Sequence, residues 1–232
     1  MLSGLRVLDL CDESGALAGK ILGDLGADVI AIEPPGGRRS LRRPPYLEGI
    51  ADPERSLAWL ALQTSKRGSV LDLESPAGRA RYLAQLATAD VVLETFRPGF
   101  LAERGLDYAD LAPRRPGLVH CAITPFGRSG PYAQFAGGDL VCVAMGGNLG
   151  MTGEPDRPPV RCSMPTAFYH AGPEAALAVL LALYQREETG RGQLVDVSLH
   201  ETQLQTLLGG VGQRSGGAPL RRRAGALSLI HI

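Results

Sequence analysis

Short apolar, β-branched runs alternate with helix-patterned segments along most of the chain, and this alternation constrains the fold more than any other feature of the sequence. Strands are read at 6–10 (RVLDL), 28–33 (DVIAIE), 69–73 (SVLDL), 90–94 (DVVLE), 117–123 (GLVHCAI) and 194–199 (LVDVSL). Helices are read over 15–25, from about 76 to 89, over 173–188 and over 201–208. Strands joined through helices are parallel neighbours, because a crossover returns the chain to the same end of the sheet. The expected architecture is therefore an α/β, Rossmann-like fold built on a mainly parallel, doubly wound sheet. Ligands of such sheets sit beyond the carboxyl ends of the strands, so loops 34–45, 95–99 and 124–138 carry the functional reading.

Local signals place the helix ends. Ser75 is an N-cap with Pro76 in the first helical position, where its missing N–H costs nothing. Pro173 suits the first turn of the 173–188 helix, Thr189-Gly190 stops it, and AALAVLLALY is apolar on nearly every face, as in a buried core helix. Gly15, Gly19, Gly23 and Gly26 give the first helix a stripe without side chains that can lie close to a sheet. Their spacing is not G-x-G-x-x-G, so nothing selects a nicotinamide dinucleotide. The stretch FGRSGPYAQFAGGD excludes regular structure. Residues 1–203 are expected to form the large domain, truncated before a small domain is complete. Residues 204–232, small, flexible and basic before ending in LSLIHI, read as a truncated tail.

Charge and cysteine usage narrow the function classes. Lys plus Arg equals Asp plus Glu at 24 each, so no global field draws the chain to nucleic acid or an acidic membrane surface. Cys11, Cys121, Cys142 and Cys162 form no C-x-x-C pair, which points to reduced thiols and no metal. The N-terminus has no basic head and apolar h-region, and no uninterrupted apolar window has the length of a membrane span. A soluble, cytoplasmic protein is expected.

The loop after the second strand reads PPGGRRSLRRPPY and puts Arg38, Arg39, Arg42 and Arg43 where the sheet offers its ligand crevice. Two glycines allow close backbone approach, and guanidinium forks match phosphate oxygens. Lys66-Arg67, just before the 69–73 strand, and Arg97, after the 90–94 strand, extend this positive rim. Basic groups from three loops on one edge imply a polyphosphate ligand; a solvated basic loop is the alternative. Nucleophile motifs are scarce. Gly127-Arg128-Ser129-Gly130 is not a nucleophile elbow, Cys162 and His170 lack an orienting partner, and His120 and His200 read as structural. Asp139 reads as a loop-fixing carboxylate, and Glu154 and Asp156 as turn residues.

The ordered pieces LSGLRVLDL, LGDLGADVIAIEPPGG, SKRGSVLDLESPAGR, ADVVLETFRPGFLAERGLDY, FGRSGPYA, MGGNLGMTGEPDRPP and TGRGQLVDVSLHE, covering roughly 2–203, resemble the class III CoA-transferase family. That family includes formyl-CoA and carnitine CoA-transferases and α-methylacyl-CoA racemases, also grouped as CaiB/BaiF proteins. The resemblance implies coenzyme A and acyl-CoA as ligands, a carboxylic acid as acceptor, and an interlocked homodimer. Carried over by position, it places CoA contacts on Arg38, Lys66, Arg67, Thr95, Phe96 and Arg97, with Thr95 where the family more often has Asn. The family's nucleophilic aspartate falls on Phe168, whose ring cannot attack an acyl-CoA. The racemase histidine falls on Gly138. No catalytic residue is therefore assigned. The chain alone is expected to lack turnover and to hold CoA weakly at best. The alternative readings are a catalytically silent half partnering an active copy, and an ordinary Rossmann-type dinucleotide binder.

Overall fold

The structure is a computed structural model and describes residues 1–207 together with 216, 217, 223 and 225. In chain order the elements are β1 (Arg6–Asp9), α1 (Ala16–Asp24), β2 (Asp28–Glu33), α2 (Leu57–Leu62), β3 (Lys66–Val70), α3 (Pro76–Leu86), β4 (Val91–Glu94), α4 (Tyr108–Leu111), β5 (Val119–Thr124), α5 (Asp139–Met145), α6 (Asn148–Met151), α7 (Thr166–Thr189), β6 (Leu194–Ser198) and α8 (Leu199–Gln205). Among the described residues six strands form one sheet in the order β3-β2-β1-β4-β5-β6, and every neighbouring pair is parallel. The doubly wound reading holds.

Alternation along the strands feeds two cores. Val7, Val29, Val91, Leu93, Cys121 and Ile123 face one side, where α1, α5 and α7 cover them. Leu8, Ile32, Val92 and Leu118 face the other, packed on Tyr82 and Leu86 of α3 and Leu111 of α4. Central strands β4 and β5 are buried at every position, as expected for parallel strands covered on both faces.

The expected starts of α1 and α3 hold to within a residue, whereas α3 ends at Leu86, α8 spans Leu199–Gln205 instead of 201–208, and α7 begins earlier than its proline suggested. The Ser75 hydroxyl accepts the Gly78 N–H at 2.9 Å and caps α3, and left-handed Gly190 ends α7 with its N–H on the Arg186 carbonyl at 2.8 Å. α7 starts seven residues before Pro173, which lies inside the helix. Pro173 removes one helical hydrogen bond, but Ala167, Ala171, Ala175 and Val179 are buried against the sheet on both sides of it, and that packing carries the helix through. By length and composition α7 could cross a bilayer; its Ala167, Ala171, Ala175 and Val179 face packs on the sheet, but Leu177, Leu181 and Tyr184 are exposed, so the helix expected to be buried all round is covered on one face.

Two further differences bear on the site. The third strand is Lys66–Val70, three residues earlier than the apolar run, because Val29 to Glu33 of β2 pair with Lys66 to Val70. Leu71 and Leu73 are buried beyond the strand end instead of within it. α5 and α6 occupy a segment with no helix expectation. Of the expected tail, Leu204 and Gln205 close α8; most of the rest lies outside the described residues.

Candidate functional site

The chain winds from β1 outward to β3, then returns to place β4 on the other side of β1. At this switch point the crossovers leave in opposite directions and open a crevice beyond the strand ends. Its volume is about 460 Å³. Cys11 and Asp12 line it after β1, Pro34, Pro35 and Gly37 to Ser40 after β2, Leu71 to Glu74 after β3, and Thr95, Phe96 and Phe100 after β4.

The glycines of α1 set how closely the helix approaches the crevice floor. A Cβ on Gly15 would meet the Thr95 methyl at 2.7 Å, and one on Gly19 would meet Asp9 Oδ2 at 2.4 Å. Gly23 lies equally close to the Ser65 carbonyl, whereas Gly26, at φ +101°, makes the turn after the helix. The stripe therefore packs, as its spacing indicates.

Beneath the crevice lies a closed charge cluster. Asp9, the last residue of β1, has no exposure; Lys66 Nζ reaches its Oδ2 at 2.7 Å and the Ala16 carbonyl at 2.8 Å. Arg38, 5% exposed, lies 3.6 Å from Asp9 Oδ1 and spends one terminal nitrogen, Nη2, on the backbone carbonyls of Asp9 and Ile32. Its Nε and Nη1 are buried and have no partner among the described residues. Two cations surround one anion here, so the cluster keeps an unspent positive charge where Arg38 borders the crevice. Burial works against ionisation of Asp9, but Lys66 and then Arg38 hold its carboxyl below the usual range.

The candidate residues separate accordingly. Arg38, Thr95 and Phe96 come together in the crevice. Thr95 Oγ1 accepts the Asp12 N–H at 2.9 Å, linking the β1 and β4 loops, and the Phe96 ring stacks on Phe100 with centroids 4.2 Å apart. Arg39 is exposed at the crevice and makes no ion pair among the described residues. The expected continuous rim does not form. Lys66 and Arg67 lie at the beginning of β3, away from the carboxyl edge; Lys66 turns into the buried cluster, and Arg67 chelates Asp28 at 2.6–2.9 Å together with Arg6. Arg97 is outside the crevice lining, and its Nη2 donates to both Glu103 carboxylate oxygens at 2.7–2.8 Å. Arg42 pairs with Glu33 and Glu54 and covers the Trp59 ring, and Arg43 pairs with Glu13.

Phe168 lies in the first turn of α7, half-buried against the main core. Asp139 accepts the Ala167 N–H at 2.8 Å and faces Arg161 at 3.4 Å, the loop-fixing role read for it. Cys162 and His170 line one smaller cavity, about 230 Å³, where Gln203 bonds His170 Nδ1 at 3.1 Å. No group of His, Cys, Asp and Glu suited to a metal ion occurs among the described residues.

Asp9 and Glu94 were not singled out from the sequence. Each is an acidic residue that directly follows two or more apolar residues at the end of its strand, RVLD and VVLE, at the carboxyl edge of the sheet, and that position was the available signal.

The family model described as CoA-transferase family III matches residues 2–229. The chain is 40% identical over 206 residues to the succinate–glutarate CoA-transferase of Agrobacterium fabrum, covering 87% of this chain and 52% of the relative. It is 34% identical to the alpha subunit of succinyl-CoA–L-malate CoA-transferase from Chloroflexus aurantiacus, over 100% of this chain and 54% of the relative. The crystal structure of a CAIB/BAIF family protein from Brucella suis superimposes with a TM-score of 0.88 at 36% identity, covering 96% of this chain and 59% of that one. The chain spans about half the length of these curated relatives.

Proposed function

The chain belongs to CoA-transferase family III, and on that premise we propose that its crevice holds the nucleotide end of coenzyme A during transfer of CoA between carboxylic acids. The observation carrying this reading is Arg38. A guanidinium that is 5% exposed, with two nitrogens unpartnered and a wall in the crevice, is costly unless an anion completes it. Phosphate groups on a ligand in the crevice supply that negative charge next to the Arg38 wall. Arg39 adds a second, solvated positive charge, and the Phe96–Phe100 pair offers an aromatic wall. Within the chain these residues bind and orient; the acyl chemistry needs a nucleophile, and Phe168 supplies none.

Titration with coenzyme A up to millimolar concentration, followed by calorimetry, tests the reading. Arg38→Met is expected to weaken binding at least about tenfold, in the range lost when a charge-assisted hydrogen bond is removed. Arg67→Met, at the other end of β3, is expected to change nothing. Saturable binding of a nicotinamide dinucleotide with none of coenzyme A would refute the proposal.

Phe168 favours a second reading, in which the chain is a catalytically silent half working with an active copy or partner subunit. The Chloroflexus relative, named as an alpha subunit, is in keeping with this. Acceptor-dependent turnover of succinyl-CoA by the isolated chain would rule the silent reading out; turnover only with a second subunit would support it. A homodimer belongs to the first reading, since a second copy of this chain brings no nucleophile.

A further inference from the structure

Glu94 closes β4 directly below the crevice loop and is 3% exposed. One carboxylate oxygen accepts the Phe96 N–H at 2.6 Å, and the other faces an Arg128 guanidinium nitrogen at 3.8 Å. Arg128 is itself held twice. Its Nη2 donates to Asp107 at 2.6 Å, and its backbone N–H donates to Asp196 Oδ2 at 2.8 Å. A neutral acceptor would satisfy the Phe96 N–H equally well in geometry, so the fold does not require a charge at this place. A buried carboxylate is costly, and its placement against a ligand-lining segment calls for a role.

We propose that Glu94 is a positioning residue for the crevice ligand, locking the Thr95–Phe96 turn from below and tying it through Arg128 to Asp107 and Asp196. The proposal rests on the reading of the crevice as a coenzyme A site. Phe96 and Thr95 both line that crevice, and Thr95 also receives the Asp12 N–H from the β1 loop. A fixed turn therefore sets the spacing between two walls of the site.

The hold depends on ionisation. The charged groups acting on Glu94 are Arg128, Asp107 and Asp196; Glu94 in turn acts on Tyr82 of α3 and Cys121 of β5. His120, beside Cys121, responds to Asp107 and Arg128, while Asp9 of neighbouring β1 is engaged with Lys66 and Arg38. Burial, opposed by the Phe96 N–H and Arg128, leaves the Glu94 carboxyl pushed up to about 7. Above neutrality the carboxylate grips the Phe96 N–H and Arg128; below it, the neutral acid grips both more weakly.

Two measurements on the same protein test this at pH 6 and pH 8: amide hydrogen exchange at Phe96, corrected for intrinsic rate, and calorimetric titration with coenzyme A. In the wild type, protection against the local opening that breaks the Phe96–Glu94 bond while Glu94 stays buried, and with it affinity, are expected to rise about five- to tenfold between the two pH values, the difference between a neutral and a charge-assisted hydrogen bond. Glu94→Gln is expected to stay near the wild-type pH 6 level at both, and referring each affinity to this variant removes titration of the ligand's own phosphates. Arg128→Gln keeps Glu94 but removes its cation, and is expected to move the wild-type transition to higher pH. A Glu94→Gln protein that follows the wild type in exchange and affinity at both pH values, or an unmoved transition in Arg128→Gln, overturns the proposal. Failure of the wild type to bind coenzyme A at either pH overturns the crevice reading, and the exchange measurement distinguishes that result from failure of Glu94 to hold the turn.

Discussion

The Lys66 ammonium stands 2.7 Å from the Asp9 carboxylate, with both side chains closed to solvent at 1% and 0% exposure. Arg38 approaches the same carboxylate from the crevice side, so one anion anchors two cations that come from β3 and the β2 loop. Removing one member strands the others. Asp9→Asn and Lys66→Met are each expected to cost about 3–5 kcal/mol at pH 7, measured by urea denaturation. The native carboxyl lies below its unfolded value, so its contribution is complete above pH about 4 and is lost as pH falls through the lowered native value. The gap between wild type and Asp9→Asn is therefore expected to shrink in strong acid, and a gap independent of pH would refute this account.

Glu94 and His120 tilt stability in opposite directions. Burial raises Glu94 from its ordinary 4.5 to about 7 and lowers His120 from 6.5 to about 4. As pH rises from 4.5 to 6.5, Glu94 takes stability away while His120 restores it, and the two slopes largely cancel. Above 6.5 the Glu94 slope continues alone to about pH 7. Glu94→Gln is expected to exceed the wild type in stability by roughly 1–3 kcal/mol at pH 8, although it holds the crevice ligand less well. His120→Leu is expected to unmask a decline between pH 4.5 and 6.5. Denaturation curves at pH 5, 6.5 and 8 decide the matter; a Glu94→Gln protein weaker than wild type at pH 8 would contradict it.

The thiols divide by access. Cys11, Cys121 and Cys142 are buried, and burial raises all three, Cys142 to about 11. Cys162 is exposed. Brief maleimide treatment of the native protein, read by mass spectrometry, is expected to add a single label at Cys162 and none in Cys162→Ser, because thiolates and access govern the reaction. Early labelling at Cys11, on the crevice wall, would show that the core of the site opens.

Strand and helix alternation made the sheet readable, and parallel connectivity made its carboxyl edge the place to look. Register was less readable at β3. Lys66 and Arg67 are charged and look like loop residues, yet β2 pairs with them, and the apolar SVLDL run extends past the last ladder pair into the crevice wall. That slip carried both side chains off the expected rim. Arg38 kept its place because its loop follows β2, whose end was correctly read. Basic charge in a sequence does not reveal which residues already have acidic partners, and Arg42, Arg43, Arg67 and Arg97 all do. The start of α7 is not legible because a proline marks a helix boundary in sequence, whereas alanines on either side of Pro173 bury enough surface to override it.

The order of strands in the sheet has a consequence for synthesis. β5 is complete at Thr124, but its outer neighbour is residues 194–198, and the cover over α1 comes from α7. A growing chain on the ribosome therefore carries a bare hydrogen-bonding edge and an uncovered apolar layer for some seventy residues of elongation. Only when Ser198 clears the exit tunnel can β6 pair with β5, so apolar surface stays open to aggregation or chaperone binding through this interval.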